Sequence, residues 1–208
     1  VIIEGDITSI GGGCFKGCEK LESINIPNSV KNIYSEAFYG CSSLKYINIP
    51  QLSTIYEYTF ASCTALTNIS IPDTVTRIED GAFGHCIGLE NVTIPNSVTY
   101  LSGFKGCVFS EITIPSGVVT IGPHAFQYCE NLTSITIPEG VKYIDSQAFS
   151  GCTGLSGILN IPDSVIYLGD QAFYNCAGLT SINLSSNLNY IEWNAFRNCS
   201  GVSTLTIP

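Results

Sequence analysis

The stretch from Phe126 to Ala148 reads Phe-Gln-Tyr-Cys-Glu-Asn-Leu-Thr-Ser-Ile-Thr-Ile-Pro-Glu-Gly-Val-Lys-Tyr-Ile-Asp-Ser-Gln-Ala, and Phe149 opens it again. Units begin at Phe15, Phe38, Phe60, Phe83, Phe104, Phe126, Phe149, Phe173 and Phe196, in steps of 23, 22, 23, 21, 22, 23, 24 and 23 residues. A fixed period of this length admits few folds. Each unit can bury its apolar side only against its neighbours, so the 208 residues form a one-dimensional stack and not one globular core. Val1 to Gly13 reads as the tail of an earlier unit, with Ile7 and Ile10 in the Val and Ile places. The start and stop within units, and the lack of any Met, read as a segment of a longer protein: one array over 1–208, about nine repeats.

Within a unit, Leu-x-x-Ile-x-Ile alternates apolar and polar residues at period two, the pattern of a strand with one face buried. The reading is a right-handed coil with one parallel sheet, one strand per unit, and Pro ending each strand because it has no N–H to continue a ladder. Val-x-x-Ile then forms a second extended or short-strand side. Ala-Phe-x-x-Cys, with its i, i+3 spacing, forms a short helical or 3₁₀ turn. Nine Phe and nine Cys stack as interior columns. Length changes fall at Gln51-Leu52, where a residue is lost, and at Leu101-Ser102-Gly103-Phe104, where Gly103 takes the place of Ala. Phe109 stands in for Leu, and one residue is gained near Ile158. Ser102 to Ser110 is expected to be the least regular turn.

These residues resemble the BspA-like (Treponema pallidum-type) leucine-rich repeat family over essentially the whole chain. The resemblance implies the leucine-rich repeat solenoid fold and a cell-surface or secreted setting. It also implies a non-enzymatic interaction or adhesion module that binds a host or cell-surface protein or glycan. The alternative is a passive structural spacer within a larger surface protein.

Composition narrows the function classes. The chain is 45% hydrophobic and only 12% charged, with eight basic residues and a formal charge of −9, so Ser, Thr, Asn and Tyr must cover much of its surface. Nucleic-acid binding needs clustered Lys and Arg, which are missing. No run of apolar residues is long enough to insert in a membrane. One Cys per unit at an apolar offset reads as buried free thiols, because side chains stacked one rung apart do not meet disulfide geometry and no paired C-x-x-C occurs. Cys14, beside Cys18, is the exception. His85 and His124 occupy unrelated offsets with no recurring partner, so no triad is signalled. Glu79, Asp80, Asp145, Asp170 and Glu192 read as turn charges, without the glycine-rich repeat that binds calcium. No catalytic residue, metal ligand or cofactor is assigned.

Two surfaces are candidates for binding. The outward strand positions, such as Asn48, Ser70, Thr113 and Asn183, are small and polar. A tyrosine stripe precedes the Ile of Val-x-x-Ile at Tyr100, Tyr143, Tyr167 and Tyr190, with Trp193, the single Trp, close by. Rigid amphipathic rings at repeated spacing suit protein or glycan contacts, so these five residues are the binding candidates. Sequons at Asn68, Asn91, Asn131, Asn183 and Asn198 would matter only in a eukaryotic secretory protein. Exposed end strands predict end-to-end self-association at high concentration.

Overall fold

The computed structural model describes Ile3 and residues 5–208; Val1, Ile2 and Glu4, in the leading half unit, lie outside the described residues. The chain is a parallel β-solenoid of about nine turns, with no helix among the described residues. Nine Phe form a stacked spine, from Phe15–Phe38 at 5.2 Å between ring centroids to Phe173–Phe196 at 5.6 Å. The rings from Phe38 to Phe173 are fully buried, and Leu, Ile, Val and Ala of each unit pack beside them in one continuous core.

The sheet is most continuous on an unexpected side. Seven strands pair in parallel along the Val-x-x-Ile side: Thr54–Ile55, Arg77–Ile78, Tyr100–Leu101, Thr120–Ile121, Tyr143–Ile144, Tyr167–Leu168 and Tyr190–Ile191. The Leu-x-x-Ile-x-Ile side carries only separate groups, Ser23–Ile24 with Tyr46–Ile47, Asn68–Ser70 with Asn91–Thr93, and Ser156–Asn160 with Gly178–Asn183 and Thr204–Thr206. The expected single sheet on that side is therefore corrected. Its side chains alternate in and out as the pattern required, but neighbouring rungs there do not all approach to ladder distance. Just past the paired Ser23–Ile24 and Tyr46–Ile47, a side chain takes over from the backbone: Asn48 Oδ1 accepts from Ile26 N–H at 2.8 Å, and Asn48 Nδ2 donates to Ile26 O at 2.7 Å.

The Ala-Phe-x-x-Cys corner is also not a helical turn. Residues two before and two after each spine Phe, save the one before Phe104, adopt the left-handed conformation, with φ between 53° and 75°, as at His124 and Tyr128 around Phe126. Alternating hands turn every second N–H along the solenoid axis. Around Phe126, the amides of His124, Phe126 and Tyr128 donate to Ser146, Ala148 and Ser150 of the next rung at 3.0, 2.7 and 2.8 Å. The amides between them close i, i−3 bonds within the rung, as Gln127 to His124 at 3.1 Å. A non-Gly residue held in this conformation costs about 1–2 kcal/mol, and each inter-rung bond returns about 0.5–1.5 kcal/mol. The corner is thus a third ladder built from turns.

Two of the length changes show how the fold absorbs a lost residue. In full-length units the Val N–H donates to the Pro carbonyl three residues back, as Val75 to Pro72 at 3.0 Å; after the deletion, Leu52 reaches only two back, to Pro50, at 2.7 Å. Leu52 still fills the Val column, 1% exposed, but the long sheet stops between Asn32–Ile33 and Thr54–Ile55. At the second site the corner before Phe104 lacks its left-handed residue, and Gly103 is drawn inward. A Cβ on Gly103 would stand 2.4 Å from Ile78 Cγ2 and 3.4 Å from Ala82 Cβ. Gly103→Ala restores the repeat's usual residue, yet it is expected to destabilise the protein by about 1–3 kcal/mol through overpacking. A thermal melt checks the sign, since a gain in Tm would contradict this packing.

Candidate functional site

The seven-stranded side sets the register of the tyrosine stripe. Arg77 pairs with Tyr100, Tyr100 with Thr120, Thr120 with Tyr143, Tyr143 with Tyr167, and Tyr167 with Tyr190. Rungs of a parallel ladder lie about 4.8 Å apart, so the last three tyrosines form one unbroken column. Exposure alternates before it climbs at the end: Tyr100 is partly covered, Tyr143 39% exposed, Tyr167 partly covered, Tyr190 67% and Trp193 81% exposed. The structure thus sets the four candidate tyrosines on one ladder, with Thr120 as a gap between Tyr100 and Tyr143, while Trp193 follows three residues after Tyr190.

Carboxylates run beside this column, because the residues just after each Ile turn out at the same corner. Burial and the charges of Glu79 and Asp145, partly offset by Arg77, hold the Tyr100 phenol above its ordinary value; burial and then Glu192, Asp145 and Asp170 do the same for Tyr167. Asp145 is half-buried, its carboxyl raised by desolvation, and among the described residues no hydrogen bond or ion pair reaches it. Asp170 accepts from Gln171 Nε2 at 3.3 Å through Oδ2, while its Oδ1 is buried without a partner. Reading these acids as independent turn charges missed their company with the rings. The usable signal was an acid two or three residues after Tyr143, Tyr167 and Tyr190.

At the shortened corner, His124 Nδ1 lies 3.4 Å from Asp80 Oδ2, reaching across the intervening rung to a carboxylate 44 residues earlier. Tyr58 also donates its hydroxyl to Asp80 Oδ2 at 3.1 Å. His85 is exposed and far along the repeat offset from any such partner. No group of three or more His, Cys, Asp or Glu that could hold a metal occurs among the described residues.

The outward positions of the broken side carry open depressions, one of about 500 Å³ between Tyr46–Gln51 and Asn68–Pro72. A second, of about 360 Å³, lies where Glu111–Ile114 faces Ser134–Ile135. Both are clefts between rungs and not enclosed sites.

All ten cysteines are free thiols. Eight of them, Cys41 through Cys199, donate Sγ–H to the Phe carbonyl of the preceding rung at 3.0–3.3 Å, as Cys152 to Phe126 at 3.0 Å. The same carbonyl accepts the Cys amide three residues on, as Cys129 N–H to Phe126 O at 3.1 Å. A buried carbonyl has two lone pairs, and this column satisfies both. Cys18 holds the column position of the first full unit but is exposed, as is Cys14.

These features define a class of protein: a leucine-rich repeat solenoid with three ladders per turn and an aromatic, acidic side. The BspA type leucine rich repeat region, in six copies, matches residues 1–103 and 102–208, and the chain belongs to that family. It is similar to a leucine-rich repeat protein from Bacteroides ovatus ATCC 8483, at 34% identity and a TM-score of 0.74 over 96% of this chain and 58% of that one. It therefore spans less than two thirds of that relative. A leucine-rich repeat protein from Eubacterium ventriosum ATCC 27560 shares the fold, with a TM-score of 0.55 at 23% identity over 100% of this chain and 72% of that one. No curated protein matches the chain.

Proposed function

We propose that this array is a non-enzymatic interaction module of a cell-surface or secreted protein, and that its Tyr100–Trp193 side docks a partner protein. The observation that carries the reading is the in-register column Tyr143, Tyr167, Tyr190, with Tyr190 and, three residues on, Trp193 the two most exposed aromatics among the described residues. Tyr and Trp give large contact area for little lost side-chain freedom, which is why they anchor interfaces. Family membership supports a repeat module that works by contact and not by turnover.

The test is a binding screen against matrix proteins, glycans and cell surfaces, followed by Tyr143→Ala with Tyr167→Ala. Loss of the two rings is expected to weaken a captured protein by about 2–4 kcal/mol, with only a small fall in the melting temperature, since Tyr143 is exposed and Tyr167 only partly covered. Unchanged affinity removes the stripe from the site. Capture of glycans alone reassigns it, and capture of nothing favours the passive spacer.

A further inference from the structure

The chain shows what its own tyrosine surface accepts. Arg77 places its guanidinium carbon 4.1 Å from the centre of the Tyr100 ring, while its Nε donates to Glu79 at 2.8 Å. Near the other end, Lys16 Nζ lies 4.8 Å from the Tyr39 ring centre and 2.6 Å from Glu36. In both places one cation satisfies a ring face and a carboxylate together, the pairing expected of a quadrupole beside an anion.

From Thr120 onward the same elements recur without the cation. Thr120 stands in the column where Arg77 underlies Tyr100, so the next ring, Tyr143, has a small neighbour below it. Asp145, Asp170 and Glu192 flank Tyr143, Tyr167 and Tyr190, and no ion pair among the described residues reaches any of the three acids. Between Thr120 and Trp193 the sequence holds six acidic residues against one basic residue, Lys142, which bonds to none of them. A half-buried carboxylate without a cation is unfavourable. Here all three acids are partly covered in that state, and Asp170 Oδ1 is wholly covered.

Building on the interaction reading above, we infer that the partner of this side is a cationic protein segment, whose arginine or lysine side chains sit against Tyr143, Tyr167 and Tyr190 and pair with Asp145, Asp170 and Glu192. The three rings span about 10 Å, and alternate side chains of an extended segment repeat about every 7 Å. A segment with a basic residue at every second position therefore reaches two of these seats at once.

The probe is a fluorescein-labelled peptide of four Arg-Gly repeats, followed by fluorescence anisotropy, with a copy carrying citrulline in place of arginine to remove charge but keep shape. The arginine peptide is expected to bind and the citrulline copy to bind at least about tenfold more weakly. Asp145→Asn with Asp170→Asn, and separately Tyr143→Ser with Tyr167→Ser, should each weaken binding about fivefold or more. Arg77→Ala frees the Tyr100 seat and should tighten binding, whereas Lys31→Ala, an equal change in net charge elsewhere, should not. Glu192→Gln with Tyr190→Ser repeats the test without touching half-buried Asp145, should the first acid pair melt early. No binding, equal binding of the citrulline copy, or affinity indifferent to both double variants overturns the inference. A captured partner that depends on Tyr143 and Tyr167 but not on Asp145 and Asp170 keeps the interaction module and discards its cationic partner.

Discussion

Titration to alkaline pH is expected to unfold this protein well before it exposes any ordinary weakness. Burial pushes Cys86 and Cys129 up to about 12 from the ordinary 9.0; burial, with smaller contributions from neighbouring thiols, takes Cys63 and Cys176 higher still, and Cys107 and Cys152 move the same way. The sign follows from where protons are held. Below pH 9.0 the thiols are protonated in both the folded and unfolded chain, so their contribution is fully present. Above it the unfolded chain loses protons that the folded chain keeps, and stability falls until the folded thiols themselves ionise. Each further pH step withdraws about 1.4 kcal/mol per thiol. For the six thiols from Cys63 to Cys176 this is on the order of 8 kcal/mol by about pH 10, comparable to the whole stability of many domains.

Circular dichroism melts across this range check the effect, and a stability at about pH 10.5 equal to that at pH 8 would falsify it. A thiol reagent near neutral pH gives the companion reading. Cys14 and Cys18 should react at once, half-covered Cys199 later, and the seven buried thiols only as the stack opens. Prompt reaction at most of the sulfurs would mean that the column does not face inward.

Removing one ring from the spine is expected to be the most damaging single substitution in the core. Phe126 stacks on Phe149 at 5.2 Å and on Phe104 at 6.1 Å, the widest step in the column, and Phe109 packs edge-on against it at 6.4 Å. Phe126→Ala should cost about 3–5 kcal/mol, the usual result for emptying a buried aromatic site. Collapse is restricted here because three backbone ladders hold the rungs in place. In a one-dimensional stack a weak rung also uncouples its two flanks. Denaturant unfolding of the variant should therefore separate into two transitions about Phe126, while the parent unfolds more cooperatively. A cost below about 1 kcal/mol with one sharp transition would show that the spine carries little of the stability.

Much of this architecture is legible in the spelling of the units. Offsets repeat, so whichever column is apolar must stack on itself; Phe, Cys, Val and Ile could be placed indoors, and Tyr143 and Tyr167 outdoors, without coordinates. Ser102–Ser110 was likewise legible as the irregular stretch, because Gly103 and Phe109 break two columns there. The hydrogen-bonding pattern was not legible in the same way. Period-two alternation in Leu-x-x-Ile-x-Ile says which side chains point inward, but not whether the next rung comes near enough to bond. The corner between Ala and Cys misled for a related reason. An i, i+3 spacing is common to a 3₁₀ turn and to turns of alternating hand, and residues such as Gln147, His124 and Tyr128 do not announce a positive φ as glycine does.

The candidate site divides along the same line. Sequence alone determined the inventory, four tyrosines at one recurring offset, a tryptophan three residues after the last, and acids two or three places after Tyr143, Tyr167 and Tyr190, since periodicity is a property of order along the chain. Only the tertiary structure decided that Arg77 lies over Tyr100, that Asp145 and Asp170 are half-enclosed without a cation, and that each thiol reaches the Phe carbonyl of the rung before. Those contacts join residues more than twenty positions apart, and they depend on how far each turn of the coil advances and rotates, a distance that no single unit encodes.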